Sequence, residues 1–208
     1  MNLTLNQKSA RKGFTLIEMI GVLAVIAILA SLLIPKIYEA INNSRISNTV
    51  LSYNTVKTAL ADHYAKFGAL LSSNGTAYAV GAPGMAAFDK TLVAEGFLDK
   101  PFQVKIGDTT THVEVIAGAG AVPVTTANDG TYDLDGNGSV NDAQGTAVVQ
   151  AVIGGVTGGD ALALSTLLDG TSLSSTNGAA SADSLGRVKY AAPGAGGTTT
   201  VYIYVTHR

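Results

Sequence analysis

The chain contains no cysteine and no tryptophan, and only 13% of its 208 residues are charged. Without cysteine there is neither a disulfide framework nor a thiolate metal site, so an exported domain gets no covalent staple. Cations are absent from one long stretch: between Ile106 and Gly186 there is no Lys or Arg, against nine Asp or Glu. Nucleic-acid binding through that region is electrostatically unfavourable, and a cation is the partner its charge suits. Catalytic patterns are missing too. His63, His112 and His207 have no metal-ligand spacing, no G-x-S-x-G elbow occurs, and GGVTGG lacks the Lys-Ser/Thr of a phosphate loop. The expectation is a protein that is not an enzyme.

What is present begins with RKGFTLIEMIGVLAVIAILASLLIP, residues 11–35. Phe14 to Ile34 is 21 residues. At 1.5 Å per helical residue it spans about 31 Å, close to the roughly 30 Å of a bilayer core. Lys8, Arg11 and Lys12 precede it, whereas Lys36 and Glu39 follow, which predicts a cytoplasmic N-terminus and an exported remainder. All acids follow Phe14, so a product starting there carries 10 cations and 15 anions. SLLIPKIYEA is a poor secretory cleavage site, which argues against a removable signal. One acid, Glu18, sits inside the apolar run. A central Asp in a membrane helix costs roughly 2.5 to 3.5 kcal/mol on insertion scales, so such an acid is read as functional. Gly21, Ala24, Ala27, Ala30 and Ser31 are small positions that let membrane helices approach closely.

Pro35 removes a backbone N–H and normally kinks or ends a helix. Yet Ile37, Ile41, Ile46, Val50, Tyr53, Val56, Leu60, Tyr64 and Phe67 follow at three- to five-residue spacing. That period predicts an amphipathic helical continuation over 36–67, stopped at Gly68, whose stripe needs a sheet packed against it. Beyond it, AVGAPGMAAF reads as loop and DKTLVAEGF as a short helix closed near Gly96. QVKIGDTTTHVEVIAGA reads as a hairpin around Gly-Asp. VVQAVIGGVTGGDALALSTLLDG reads as a strand and a short helix entered at Asp160, and RVKYAAPGAGGTTTVYIYVTHR as a second hairpin. Tyr190, Tyr202 and Tyr204 are at strand-like spacing and read as sheet packing. The fold class expected is α+β: a long N-terminal helix packed, through its C-terminal half, on a small antiparallel sheet.

KGFTLIE, with basic residues before Gly13, Phe14 after it, Glu18 four further on and Pro35 closing the apolar run, resembles the N-terminus of type IV pilins and type II secretion pseudopilins. The resemblance covers about the first 60 residues. It implies a leader 1–13, a transmembrane and filament-core helix 14–35, its continuation 36–67, and an exported Gly-rich domain 68–208. It implies that an inner-membrane prepilin peptidase cuts between Gly13 and Phe14 and N-methylates Phe14. The partners implied are copies of the chain or related pilins, the peptidase, an inner-membrane assembly platform and lipid, with no direct nucleic acid. The new Phe14 amine lies at i, i+4 from Glu18, where helical neighbours meet. A buried carboxylate is tolerable only if paired. The pair forms either within one helix or, as the family implies, between Glu18 and the amine of an adjacent subunit, where it sets axial register.

In the acidic stretch, YDLDGNGSVNDAQ fits D-x-D-x-N-G through Asp133, Asp135, Asn137 and Gly138, the opening of an EF-hand-like calcium loop. Ser139 would offer its carbonyl and Asn141 a side-chain or water-mediated contact. Position twelve is Gln144 rather than a bidentate Glu, with Asp142 nearby as a substitute. An Asx-rich turn is the competing reading. Two function classes follow: a filament subunit, in a pilus, a secretion pseudopilus or a DNA-uptake filament, or an uncleaved single-pass membrane protein displaying a calcium-binding or adhesive domain.

Overall fold

The computed structural model describes residues 13–71, 75, 77, 86–117, 130–139, 143, 145–174 and 178–208. The expected loop over 79–88 lies outside these as far as residue 85, as do the positions Asn141, Asp142 and Gln144. Seven elements follow in order: α1 (Leu16–Phe67), α2 (Phe88–Ala94), β1 (His112–Ala117), β2 (Ala147–Thr157), α3 (Gly158–Asp169), β3 (Val188–Tyr190) and β4 (Thr198–His207). By their contacts the residues form two compact units, Met1–Ile41 and Asn42–Arg208.

In the first unit every described residue of α1 is exposed, and the helix carries a window of mean hydropathy 2.7 with none of it buried. It is long and apolar enough to cross a membrane. Pro35 lies inside the helix; without its N–H, the Ser31 carbonyl loses its usual donor four residues on. The helix nevertheless continues unbroken past it to Phe67.

In the second unit α1 becomes one-sided. Ile46, Thr49, Tyr53, Val56, Ala59, Leu60 and His63 are buried, and at about 1.5 to 3 kcal/mol for a fully buried large aliphatic side chain they fix this half of the helix. The sequence stripe began at Ile37, but Ile37 and Ile41 are exposed and the covered stripe starts at Ile46. At that end α1 lies beside α3, with Asn43, Ile46 and Ser47 lining one shallow cleft with Gly159, Leu162 and Ala163. Gly68 ends the helix at φ +70°, a left-handed cap suited to glycine, and its N–H donates to the Tyr64 carbonyl at 2.8 Å.

The sheet is antiparallel in order β1-β2-β4-β3. Val113, Val115, Val149, Ala151, Ile153, Val201, Ile203 and Val205 alternate onto the face shared with Tyr53, Val56 and Leu60. The opposite face holds a smaller cluster of Tyr132, Ala143 and Val148, with Ile116, Leu134 and Tyr204 against it. Strand β2 is therefore buried on both faces along almost its whole length, which is why VVQAVIG reads as an apolar run rather than an alternation.

Two expectations are corrected. The hairpin at QVKIGDTTTHVEVIAGA does not form. Only its second half is a strand, and β1 pairs with β2, His112 opposite Val152 through to Ala117 opposite Ala147. The first half is held outside the sheet, where the buried Asp89 carboxylate accepts the Phe102 N–H at 2.9 Å while also accepting that of Val113 at 3.2 Å. The N-cap of α3 is Thr157, not Asp160; the Thr157 hydroxyl accepts the Asp160 N–H at 3.2 Å. Asp160 instead accepts a hydrogen bond from the Asn42 amide at 2.8 Å, tying α1 to the start of α3. The C-terminal hairpin, β3 with β4, forms as read.

Candidate functional site

The first turn of α1 is built by a reciprocal set of hydrogen bonds. Gly13, Phe14 and Thr15 precede the helix in non-helical backbone. The Glu18 N–H donates to Thr15 Oγ1 at 3.3 Å, while Glu18 Oε2 accepts the Thr15 N–H at 2.7 Å and the Thr15 hydroxyl at 2.6 Å. This is a capping box: the N-cap hydroxyl and the acid three residues later satisfy each other's orphan donors. The sequence carries it as Thr-x-x-Glu at 15–18, a signal readable from spacing alone. The structure thus gives Glu18 an intrachain partner one residue later than Phe14. Phe14 itself is 81% exposed.

The acidic loop is held across the outer face of the sheet. Lys189, buried, donates from Nζ to the Thr131 carbonyl at 2.8 Å and lies 4.7 Å from the Tyr132 ring centroid. The Tyr132 hydroxyl donates to Gln150 Oε1 at 2.8 Å, and Gln150 Nε2 donates to Glu114 Oε1 at 2.7 Å. The Asp133 carbonyl accepts the Gly186 N–H at 2.7 Å. Within the loop, Asp133 accepts the N–H groups of Asn137 at 3.0 Å and Gly138 at 2.9 Å, one on each oxygen. Asp135 accepts from the Asn137 N–H at 3.1 Å and its amide at 2.8 Å, and Asn137 Oδ1 accepts the Ser139 N–H at 2.7 Å. Asp133, Asp135, Asn137 and Ser139 are thus brought into one tight turn. Among the described residues no group of three or more His, Cys, Asp or Glu is placed to hold a metal ion.

His112 and Glu114 form the exposed edge of the same network, with Nε2 to Oε2 at 3.6 Å. The Glu114 carboxylate beside it raises the His112 pKa above 6.5, against the opposing effect of burial. Burial pushes the Glu114 carboxyl up, but the neighbouring His112 and the hydrogen bond from Gln150 prevail and its pKa lies below 4.5. The His112 contribution to stability is fully present below its unfolded value and is lost as pH rises through its raised folded value. The Glu114 contribution is present above its unfolded value and lost as pH falls through its lowered one. The pair therefore stabilises most between about pH 4.5 and 6.5. With His112 partly exposed, the gain is at most about 1 kcal/mol. In thermal melts, the slope of melting temperature against pH between pH 6 and 8 should become less negative in His112→Gln than in the parent; an unchanged slope would remove the pair from the account.

The remaining histidine of interest, His63, is core. It is fully buried, with Phe67, Phe88 and Phe97 rings 5.0 to 5.8 Å away. Its Nδ1 lies 2.5 Å from Glu95 Oε2, and Nε2 accepts the Leu71 N–H at 3.2 Å. The tyrosines are sheet packing as expected: Tyr190 is buried, and Tyr204 packs edge-on to Tyr132 at 5.3 Å.

Residues 8–34 match the family model described as the prokaryotic N-terminal methylation motif. Two fimbrial proteins of Pseudomonas aeruginosa are each 26% identical to the chain over 144 residues, 69% of this chain and 77% of theirs. The N-terminus is that of the type IV pilin family. The α+β architecture is pilin-like as well: the capped apolar helix emerges from the methylation motif, and its distal half is covered by the antiparallel sheet. No solved structure matches the chain significantly.

Proposed function

We propose that the chain is a structural subunit, pilin or pseudopilin, of a type IV pilus-like filament. In this reading prepilin peptidase cuts between Gly13 and Phe14 and methylates Phe14. The product waits in the inner membrane with its N-terminus cytoplasmic, then enters a filament through α1 by way of an assembly platform. The observation that supports this best is the placement of one acid, Glu18, at the capped start of an apolar helix whose described residues in its own unit are all exposed. Such a surface has to be taken up by lipid and then by like helices.

Two measurements test it. N-terminal sequencing of the mature protein is expected to begin at methylated Phe14; an intact Met1 start would favour an uncleaved anchored protein. Glu18→Ala is expected to be cleaved and inserted normally but to reduce filament yield at least about tenfold, as a loss of about 1.4 kcal/mol in even one assembly equilibrium would. Normal filaments from that variant would exclude the charge-pair role.

We further propose that the Asp133–Ser139 turn, with Asn141 and Asp142, takes calcium as a non-covalent staple. The alternating Asp133, Asp135 and Asn137 oxygens and the cation-free stretch around them support it. Calcium at 100 times its dissociation constant should stabilise the detergent-solubilised full chain by about 2.7 kcal/mol. A melting temperature indifferent to calcium, in parent and Asp135→Asn alike, would leave the loop as an Asx turn.

A further inference from the structure

The capping box does more than start the helix. Both Thr15 donors converge on Glu18 Oε2, the backbone N–H at 2.7 Å and the hydroxyl at 2.6 Å. Oε1 has no hydrogen-bond partner among the described residues, and the residue is exposed. We infer that Thr15 is a positioning residue for assembly: it holds the Glu18 carboxylate by one oxygen so that the other is presented to a cationic partner on a second copy of the chain. This deepens the filament reading above and rests on it.

Three physical points carry the inference. A carboxylate on an apolar helix is free to swing among rotamers, and ordering it costs entropy at the moment of binding. Two short charge-assisted hydrogen bonds on one oxygen remove most of that freedom in advance. They also reduce the exposure of the bare charge to lipid, because an ionised group in an apolar medium is tolerable only with donors on it. Since each oxygen accepts along two directions, the hydrogen bonds at Oε2 leave Oε1 free to accept from an amine. Thr15 is thus bound to Glu18 before assembly and need not release it when the interchain pair forms.

The hydroxyl is the separable part. Thr15→Val keeps the side-chain shape but removes both the donor to Oε2 and the acceptor for the Glu18 N–H. Thr15→Ser restores both. Thr15→Asp restores the acceptor, and so the helix cap, since Asp is a strong N-cap residue, but it sets a second carboxylate against Glu18 and donates nothing.

The experiment expresses the full-length precursor variants in cells whose own copy is deleted, and reads three quantities in each: the mature N-terminus, membrane fractionation and sheared filament yield. Thr15→Val is expected to be cleaved at Phe14 and inserted like the parent while filament yield falls about tenfold. Thr15→Ser should return to within about twofold of the parent, and Thr15→Asp should remain as poor as Thr15→Val. Rescue by Thr15→Asp would reduce Thr15 to a helix cap and overturn the inference. So would normal filaments from Thr15→Val, or a block at cleavage or insertion that accounts for its loss of filaments. Glu18→Ala serves as the control on the underlying reading: if Glu18→Ala assembles normally, the charge-pair role itself fails, whereas filaments from Thr15→Val but none from Glu18→Ala would remove the positioning role alone.

Discussion

Tyr53→Ala is expected to lower the stability of the second unit by about 4 kcal/mol, the range found when a large aromatic is cut to alanine in a packed core. Tyr53 is 2% exposed at the centre of the covered face of α1. Its ring fills the space between helix and sheet, and its hydroxyl donates to the Tyr204 carbonyl at 2.7 Å. Burial pushes its pKa up to about 12, so the hydroxyl remains a donor at every working pH. The truncation opens a cavity and also leaves the Tyr204 carbonyl without this donor. At about 2 to 4 °C per kcal/mol for a domain of this size, the melting temperature of the full chain in detergent should fall by about 8 to 16 °C. Tyr53→Phe keeps the packing and should lose only about 1 kcal/mol. Equal losses in the two variants would mean that the hydrogen bond, rather than the ring, holds helix to sheet.

Asp169→Ala is the second large effect. The Asp169 side chain is 1% exposed at the C-terminal end of α3. One of its oxygens accepts the N–H groups of Arg187 at 2.9 Å and Val188 at 2.8 Å, and the other accepts from Arg187 Nε at 3.2 Å. The guanidinium continues to the Leu168 carbonyl at 2.7 Å. Gly186 makes this approach possible: it sits at φ +73°, and a Cβ there would lie 2.6 Å from the Asp169 carboxyl carbon. Removing the carboxylate strands two backbone donors at about 1 to 3 kcal/mol each. The expected loss is about 3 to 5 kcal/mol, read as a shift in denaturation midpoint at unchanged m-value. Burial raises the Asp169 pKa despite these donors. Its folded value thus lies above its unfolded one, and its contribution grows as pH falls through the folded value, opposite in sign to Glu114. Asp169→Asn, neutral and nearly isosteric, should therefore lose less than Asp169→Ala; a larger loss would show that the ion pair with Arg187 outweighs the backbone bonds.

The parts of this molecule legible in the sequence are those set by local chemistry. The apolar run, Gly68 as a stop and the C-terminal hairpin each follow from spacing and turn residues a few positions apart. The false hairpin at 103–119 had the right local pattern and failed for a non-local reason: β2, some 30 residues downstream, takes β1 as its partner, while Val104 and Ile106 join the core without joining the sheet. Burial of His63 and Lys189 was not legible, since each depends on partners far along the chain, Glu95 and Thr131. Thr15 was legible in principle. The spacing of its capping box is as plain as that of Phe14 and Glu18, and only the coordinates show which partner the acid takes.

The Asn42–Asp160 hydrogen bond is the first tie between α1 and the body of the second unit. A pull along α1 reaches that body at this bond and at the buried stripe from Ile46 to His63, which shares the load. From Asp160 it passes through the Thr157 cap into β2, the strand flanked on both sides and covered on both faces. Part of a tensile force thus reaches the most deeply buried strand, at the end where its pairing with β4 runs to Thr157 opposite Thr198.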